Sequence, residues 1–86
     1  MFIISGGKGT GKTKALLERA KAENGVVVCA EPEAMRERAY SYGIVGLDIV
    51  GYSDVFLTGK PVYIHDINKF IEYHMPEAVA YTINLE

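Results

Sequence analysis

The stretch Phe2-Ile3-Ile4-Ser5-Gly6-Gly7-Lys8-Gly9-Thr10-Gly11-Lys12-Thr13 governs how the rest of this chain is interpreted. A short apolar run, typical of a buried strand, is followed by a glycine-rich segment and by a helical pattern that begins near Lys12. The spacing from Gly6 to Gly11-Lys12-Thr13 fulfils G-x-x-x-x-G-K-[ST], the signature of a phosphate-binding loop. A strand before the motif and a helix after it form the context in which this signature is informative.

Physical chemistry explains why each residue type occurs at its position in this motif. Gly6, Gly9 and Gly11 can adopt backbone angles that are closed to other residues, so that successive N–H groups turn towards one anion. The helix that follows directs its positive dipole end to the same point. We expect the Lys12 ammonium to reach the β- and γ-phosphates and the Thr13 hydroxyl to bind Mg²⁺. The predicted nucleotide-binding residues are Gly6, Gly7, Lys8, Gly9, Thr10, Gly11, Lys12, Thr13, Lys14 and Asn84.

With these residues the chain resembles the P-loop NTPases, and among them the RecA-like branch. Its small size and layout are most similar to small ATP-binding proteins encoded by bacteriophages. The resemblance is specific at residues 6–13 and loose over the remaining chain. It implies ATP and Mg²⁺ as ligands, and a host cytoplasm as the location if a bacteriophage encodes the protein.

The composition is that of one small folded domain covering residues 1–86. Hydrophobic residues make up 49% of the chain, which is sufficient for a core. The net charge of −2 argues against avid binding of nucleic acid by the isolated domain, because such binding needs a basic surface. The single cysteine, Cys29, excludes an internal disulfide and favours a reducing cytoplasm. We find neither a signal peptide nor an apolar run of the roughly 20 residues that span a bilayer.

Apolar runs and helical patterns alternate along the chain, which predicts a parallel sheet. We expect a three-layer α/β fold with five parallel strands, which similarity to RecA-like and helicase cores orders 1-5-4-2-3. The first strand would then form an edge, and an open edge favours self-assembly or the docking of a partner protein. The strands are predicted at 2–4, 26–30, 47–52, 62–65 and 79–85, and the helices at 12–23, 32–42 and 66–74, with a helical turn at 54–57.

A carboxylate is expected to complete the magnesium site at the end of an apolar strand. The best candidate is Asp66, which follows Val62-Tyr63-Ile64-His65. In one register Asp66 supports the metal; in the other, His65 replaces that aspartate and Asp66 occupies the position of the catalytic base. We prefer the first register, which makes Thr13 and Asp66 the predicted metal-binding residues. Asp66 also has a purely structural interpretation as the N-cap of the following helix.

The remaining candidates are less specific. Glu31 ends the second strand, where RecA-like relatives place a glutamate that activates water, although it equally well precedes Pro32 at a helix start. Asn84, or less favourably Thr82, could sense the γ-phosphate from the last strand. The three arginines, Arg19, Arg36 and Arg38, lie on predicted helical surfaces, so that an arginine finger would come from another subunit or a partner.

These features predict Mg²⁺-dependent ATP binding with weak or partner-activated hydrolysis, in which Lys12, Glu31 and Asp66 are the catalytic residues. Guanine recognition is disfavoured because Asn68-Lys69-Phe70-Ile71 lacks the acidic residue that contacts the base. A small-molecule kinase is disfavoured because the chain has no evident lid or acceptor-binding insertion. The alternative is a non-catalytic switch or adaptor that binds nucleotide and recruits a partner protein. A structural protein with a vestigial loop is a weaker third interpretation.

Overall fold

The structure is a computed structural model that describes residues 4–5, 9, 11–54 and 59–82. In chain order its elements are helix α1 (Lys12–Ala22), strand β1 (Val26–Cys29), helix α2 (Pro32–Ser41), strand β2 (Asp48–Gly51), a 3₁₀ turn (Tyr52–Asp54), strand β3 (Val62–Ile64) and helix α3 (Ile67–His74). Gly6, Gly7, Lys8, Thr10 and Asn84 lie outside the described residues, as do positions 2–3 of the first predicted strand and positions 83–85 of the last.

The described residues form one parallel sheet in the order β2-β1-β3. Val27 of β1 is paired with Ile49 on one side and with Tyr63 on the other. All four residues of β1 are buried, which explains why this continuous apolar run takes the central position. The carboxyl ends of the three strands therefore meet at one edge of the sheet.

Helices α1 and α2 pack on the same face of the sheet. Leu17 and Ala20 of α1 and Met35 and Ala39 of α2 are spaced three or four residues apart, and each pair is buried on one helical stripe. These side chains form the core with alternate residues of the strands, Val27, Cys29 and Ile49. Helix α3 has no buried residue and packs instead against the aromatic ring of Tyr52 in the 3₁₀ turn.

The connection from α1 to β1 is held by a close backbone approach. Asn24 adopts a positive φ of 53°, as expected where an asparagine ends a helix. The next residue, Gly25, is buried, and a Cβ atom at this position would lie 2.7 Å from the carbonyl oxygen of Pro61 and closer still to the ring of Tyr63. Only glycine therefore fits where α1 passes into the sheet beside β3.

The prediction of a three-layer fold with a five-stranded sheet is wrong. The described chain has a three-stranded sheet, and neither residues 4–5 nor residues 79–82 belong to a strand. Val79 is 98% exposed, so residues 79–82, the described part of the last apolar segment, do not return to the sheet after α3. The three strands that are present keep the relative order predicted for them, because β1 alone is apolar enough to be covered on both edges and both faces.

Smaller differences concern the ends of elements. The helices predicted to end at 23 and 42 end one residue earlier, and the helical turn lies at Tyr52–Asp54 rather than at 54–57, of which 55–57 lie outside the described residues. Within the described part of the chain, the helices are all too short and too polar to cross a membrane.

Candidate functional site

The first turn of α1 is the centre of the candidate site. Gly9 and Gly11, the two described glycines of the loop, have φ values of 81° and 78°, in the left-handed region that glycine adopts without strain. Helix α1 begins at Lys12, directly after Gly11, and its first turn contains no acidic residue. Because no carboxylate of the helix neutralises this end, its N–H groups and dipole present a positive site to an anion.

The second residue of α1, Thr13, contacts the end of β3. The Thr13 Oγ1 atom lies 3.1 Å from Nε2 of His65, and both residues are half-buried. His65 is fixed at this place because its backbone N–H donates to the carbonyl of Val28 at 2.8 Å, one step beyond the last β1–β3 pair. The packing of α1 across β1 and β3 therefore joins the phosphate-binding motif to the carboxyl edge of the sheet.

The surroundings of His65 favour the neutral form of its imidazole. Burial lowers the pKa of His65, and the positive charges of Arg38, Lys69 and Lys12 lower it further, while the nearby carboxylate of Asp66 opposes them. A neutral imidazole has one donor and one acceptor nitrogen, so Nε2 can accept the Thr13 hydroxyl proton when the other nitrogen is protonated. The electrostatic effect of Arg38, Lys69 and Lys12 on this ring also places three cations around the site.

Asp66 serves as the N-cap of α3. It adopts a left-handed conformation with φ 61°, and its carboxylate accepts a hydrogen bond from the backbone N–H of Lys69 at 3.3 Å. This is the structural interpretation that the sequence offered beside the metal-binding one. Among the described residues, no group of three histidine, cysteine or acidic side chains is arranged to hold a metal. The role of Asp66 towards Mg²⁺ stays a prediction.

The Tyr52 side chain supports the site through the backbone of His65 and Asp66. From the sequence, Tyr52 is predicted only as the end of a strand and is not among the predicted site residues. Its hydroxyl donates to the carbonyl of His65 at 2.6 Å and lies 3.1 Å from that of Asp66. The ring packs edge-on against Phe70, with 5.5 Å between the ring centroids. Burial, with the nearby Asp66 and Cys29, raises the pKa of Tyr52 to about 12. The sequence feature that could have revealed this role was a tyrosine at a strand end followed by a helix with aromatic side chains, Phe70 and Tyr73.

A cavity of about 490 Å³ lies beside these residues, at the carboxyl ends of β1 and β2. The 3₁₀ turn contributes Asp54, and α3 contributes Lys69, Glu72 and Tyr73. The carboxyl ends of parallel strands are the usual position of ligand sites in open α/β sheets. Lys69 links this cavity to the start of α1, because it both lines the cavity and acts electrostatically on His65, which contacts Thr13.

Three other candidates from the sequence, Lys14, Glu31 and Thr82, are exposed. Glu31 is exposed before α2 and makes no side-chain cap. Lys14 lies over the ring of Tyr42, with 5.8 Å from Nζ to the ring centroid. Thr82, the less favoured sensor, is exposed and belongs to no strand.

The three arginines bond along their own helices or to a strand. Arg19 pairs with Glu23 at 3.0 Å, and Arg38 donates to the Tyr42 hydroxyl at 3.3 Å. Arg36 donates to the carbonyl of Ile49 at 2.9 Å. The expectation that an arginine finger would come from another subunit or a partner stays a prediction.

Searches against models of protein families, curated proteins and solved structures gave no match to this chain. The resemblance to P-loop NTPases consequently rests on the loop motif itself. What the site does is best argued from the geometry at the start of α1.

Proposed function

We propose that this chain binds the phosphates of a nucleoside triphosphate, with ATP favoured, together with Mg²⁺ at the start of α1. The observation that carries the proposal is the sequence of two left-handed glycines, Gly9 and Gly11, followed at once by a helix that begins Lys12-Thr13. This is the local structure that the motif requires if its backbone N–H groups are to surround phosphate oxygens. The residues Asn68 and Lys69 lie on the exposed surface of α3, which gives no support to guanine recognition.

Each residue at this end has a distinct chemical task in the proposal. The N–H groups of the first turn donate to phosphate oxygens, and the Lys12 ammonium neutralises part of their charge. The Thr13 hydroxyl is the protein oxygen offered to Mg²⁺. A set of one protein oxygen, phosphate oxygens and waters fits this ion, which usually keeps several waters in nucleotide sites. When bound, Mg²⁺ neutralises charge on the phosphates.

Hydrolysis by the chain alone is expected to be weak. Each arginine is engaged along its own helix or with β2, including Arg38, whose charge acts on His65 but whose side chain donates to the Tyr42 hydroxyl, so we expect none of them to serve as the finger. An arginine supplied by a second molecule is worth about 10³ to 10⁵ in rate in NTPases that depend on one. We therefore propose that a protein partner or self-assembly activates turnover.

A second candidate function is a switch or adaptor that binds nucleotide without turnover. It is favoured by the exposed position of Glu31 and by the use of the Asp66 carboxylate as a helix cap. Replacing Glu31 by glutamine distinguishes the two functions. Lost turnover with retained binding supports an ATPase, whereas a wild-type protein that shows no turnover even with partners supports the adaptor.

The decisive experiment measures ATP and tripolyphosphate binding by calorimetry for the wild type, Lys12→Ala and Lys21→Ala. Lys12→Ala should weaken both ligands by at least about tenfold, because it removes a cation beside the phosphates. Lys21→Ala is the matched control, since it removes the same charge from the other end of α1, where it is exposed. Equal affinities for the three proteins would contradict phosphate binding at this helix end.

A further inference from the structure

We propose that His65 is the residue that orients the Thr13 hydroxyl towards Mg²⁺ and that Asp66 is not. The inference rests on the proposed nucleotide binding and names the positioning residue of that same site. It answers a question that the sequence left open, because His65 and Asp66 are adjacent and either could occupy the position at the end of β3.

The geometry at the strand end separates the two residues. Nε2 of His65 lies 3.1 Å from the Thr13 oxygen, which is a hydrogen-bond distance. The Asp66 carboxylate lies with the first turn of α3, where it accepts from the backbone N–H of Lys69 at 3.3 Å. The left-handed backbone at Asp66 directs the chain away from β3 and into α3.

The hydrogen bond has a consequence for the metal. A hydroxyl that donates its proton to the imidazole keeps its oxygen lone pairs for a cation, whereas an unoriented hydroxyl can turn its proton towards the cation. Residues that orient a metal ligand in this way typically change metal affinity by 10- to 100-fold when they are replaced. His65 therefore acts through Thr13 and does not itself ligate Mg²⁺, an ion that prefers oxygen.

Two backbone contacts hold the imidazole in place. The N–H of His65 donates to Val28, and its carbonyl accepts from the buried hydroxyl of Tyr52 at 2.6 Å. One end of the residue is thus tied to β1 and the other to the 3₁₀ turn, which leaves little freedom to move the ring away from Thr13. An orienting group needs this kind of support from its surroundings.

The test compares ATP affinity in Mg²⁺ with ATP affinity in EDTA, so that the ratio reports the contribution of the metal alone. His65→Leu should lower this ratio about tenfold, and His65→Gln should keep most of it because the amide oxygen can replace Nε2. Asp66→Asn should leave the ratio unchanged, since asparagine preserves both the cap and the left-handed backbone. Thr13→Val combined with His65→Leu should lose no more than Thr13→Val alone.

The contact is measured separately by the ¹⁵N chemical shift of the His65 ring nitrogens, which should change in Thr13→Val. Circular dichroism verifies that each variant folds, and His65→Gln serves if the leucine variant does not. A ratio lost in Asp66→Asn and kept in His65→Leu would overturn the inference, as would an unchanged ¹⁵N shift. If the wild type binds ATP in neither buffer, the proposed function fails and the role towards Mg²⁺ fails with it. If it binds ATP equally in both buffers, phosphate binding stands, and the proposed binding of Mg²⁺ falls together with the present inference.

Discussion

Replacing Tyr52 by phenylalanine removes one hydroxyl that makes a part-buried hydrogen bond to the backbone of the site. The Tyr52 side chain is only 4% exposed, and its hydroxyl donates to the carbonyl of His65 at 2.6 Å. Phenylalanine keeps the ring that packs against Phe70, so the change isolates the hydrogen bond. We expect the free energy of unfolding to fall by about 1–2 kcal/mol, because the carbonyl oxygen is left without its partner.

The ionisation of the Tyr52 hydroxyl determines how the stability difference between wild type and Tyr52→Phe depends on pH. Because the pKa of Tyr52 is raised from 10.0 to about 12 in the folded protein, the unfolded chain loses this proton first as the pH rises. The associated stability is fully present below pH 10 and is lost progressively as the pH rises towards 12. At pH 11 the wild type should have lost on the order of 1 kcal/mol that Tyr52→Phe cannot lose, so the difference between the two proteins should become smaller.

The assay is urea unfolding followed by circular dichroism at pH 7 and pH 11. Tyr40→Phe is the matched control, since Tyr40 is 74% exposed and its hydroxyl is expected to contribute within about 0.5 kcal/mol. The reasoning is refuted if Tyr52→Phe and Tyr40→Phe unfold at the same urea concentration at pH 7. It is also refuted if the difference between wild type and Tyr52→Phe is as large at pH 11 as at pH 7.

Three further outcomes follow from the structure. Gly25→Ala should lower the free energy of unfolding by about 1–3 kcal/mol, because the added Cβ atom would meet Pro61 and Tyr63. Gly51→Ala is the control and should cost less, since the nearest atom to its added Cβ would be 3.4 Å away. Equal urea midpoints for the two variants would contradict this. Cys29 should react with a thiol reagent at least about tenfold more slowly in the folded protein than in urea, because burial raises the pKa of its thiol. Equal rates would show that the Cys29 thiol is accessible in the folded protein. ATP turnover by the isolated chain should stay well below about 1 s⁻¹ and rise with protein concentration or an added partner, and fast turnover at high dilution would exclude activation by a second molecule.

The local pattern of residues was enough to predict how the described helices begin. Pro32 at the start of α2 and Asp66 before α3 carry their own signals, a fixed φ and a capping carboxylate. Lys12, after a left-handed glycine, marks the start of α1 in the same way. The continuous apolar run of β1 likewise predicted a central strand, because a strand covered on both faces has no position for a polar side chain.

The number of strands could not be predicted in this way. The segment around Val79 has the composition of a strand, yet it is exposed and unpaired in the described structure. Strand propensity reflects how well side chains pack on a sheet, and it is therefore not a property of the segment alone. Apolar runs near the two ends of the chain predicted the two additional strands, and the described parts of these segments, residues 4–5 and 79–82, belong to no strand.

The sequence by itself determined the phosphate-binding motif, the helix that begins in it and the two candidates that follow β3. Only the tertiary structure decided that Thr13 contacts His65 and that the Asp66 carboxylate caps α3. Thr13 and His65 are 52 residues apart, and their contact depends on how α1 crosses β1 and β3. Asp66 and Lys69 are three residues apart, so that bond is local, but the same side chain could have turned towards Thr13. Neighbouring polar residues at a strand end are equivalent in a sequence pattern, and they become different only when packing fixes the direction of each side chain.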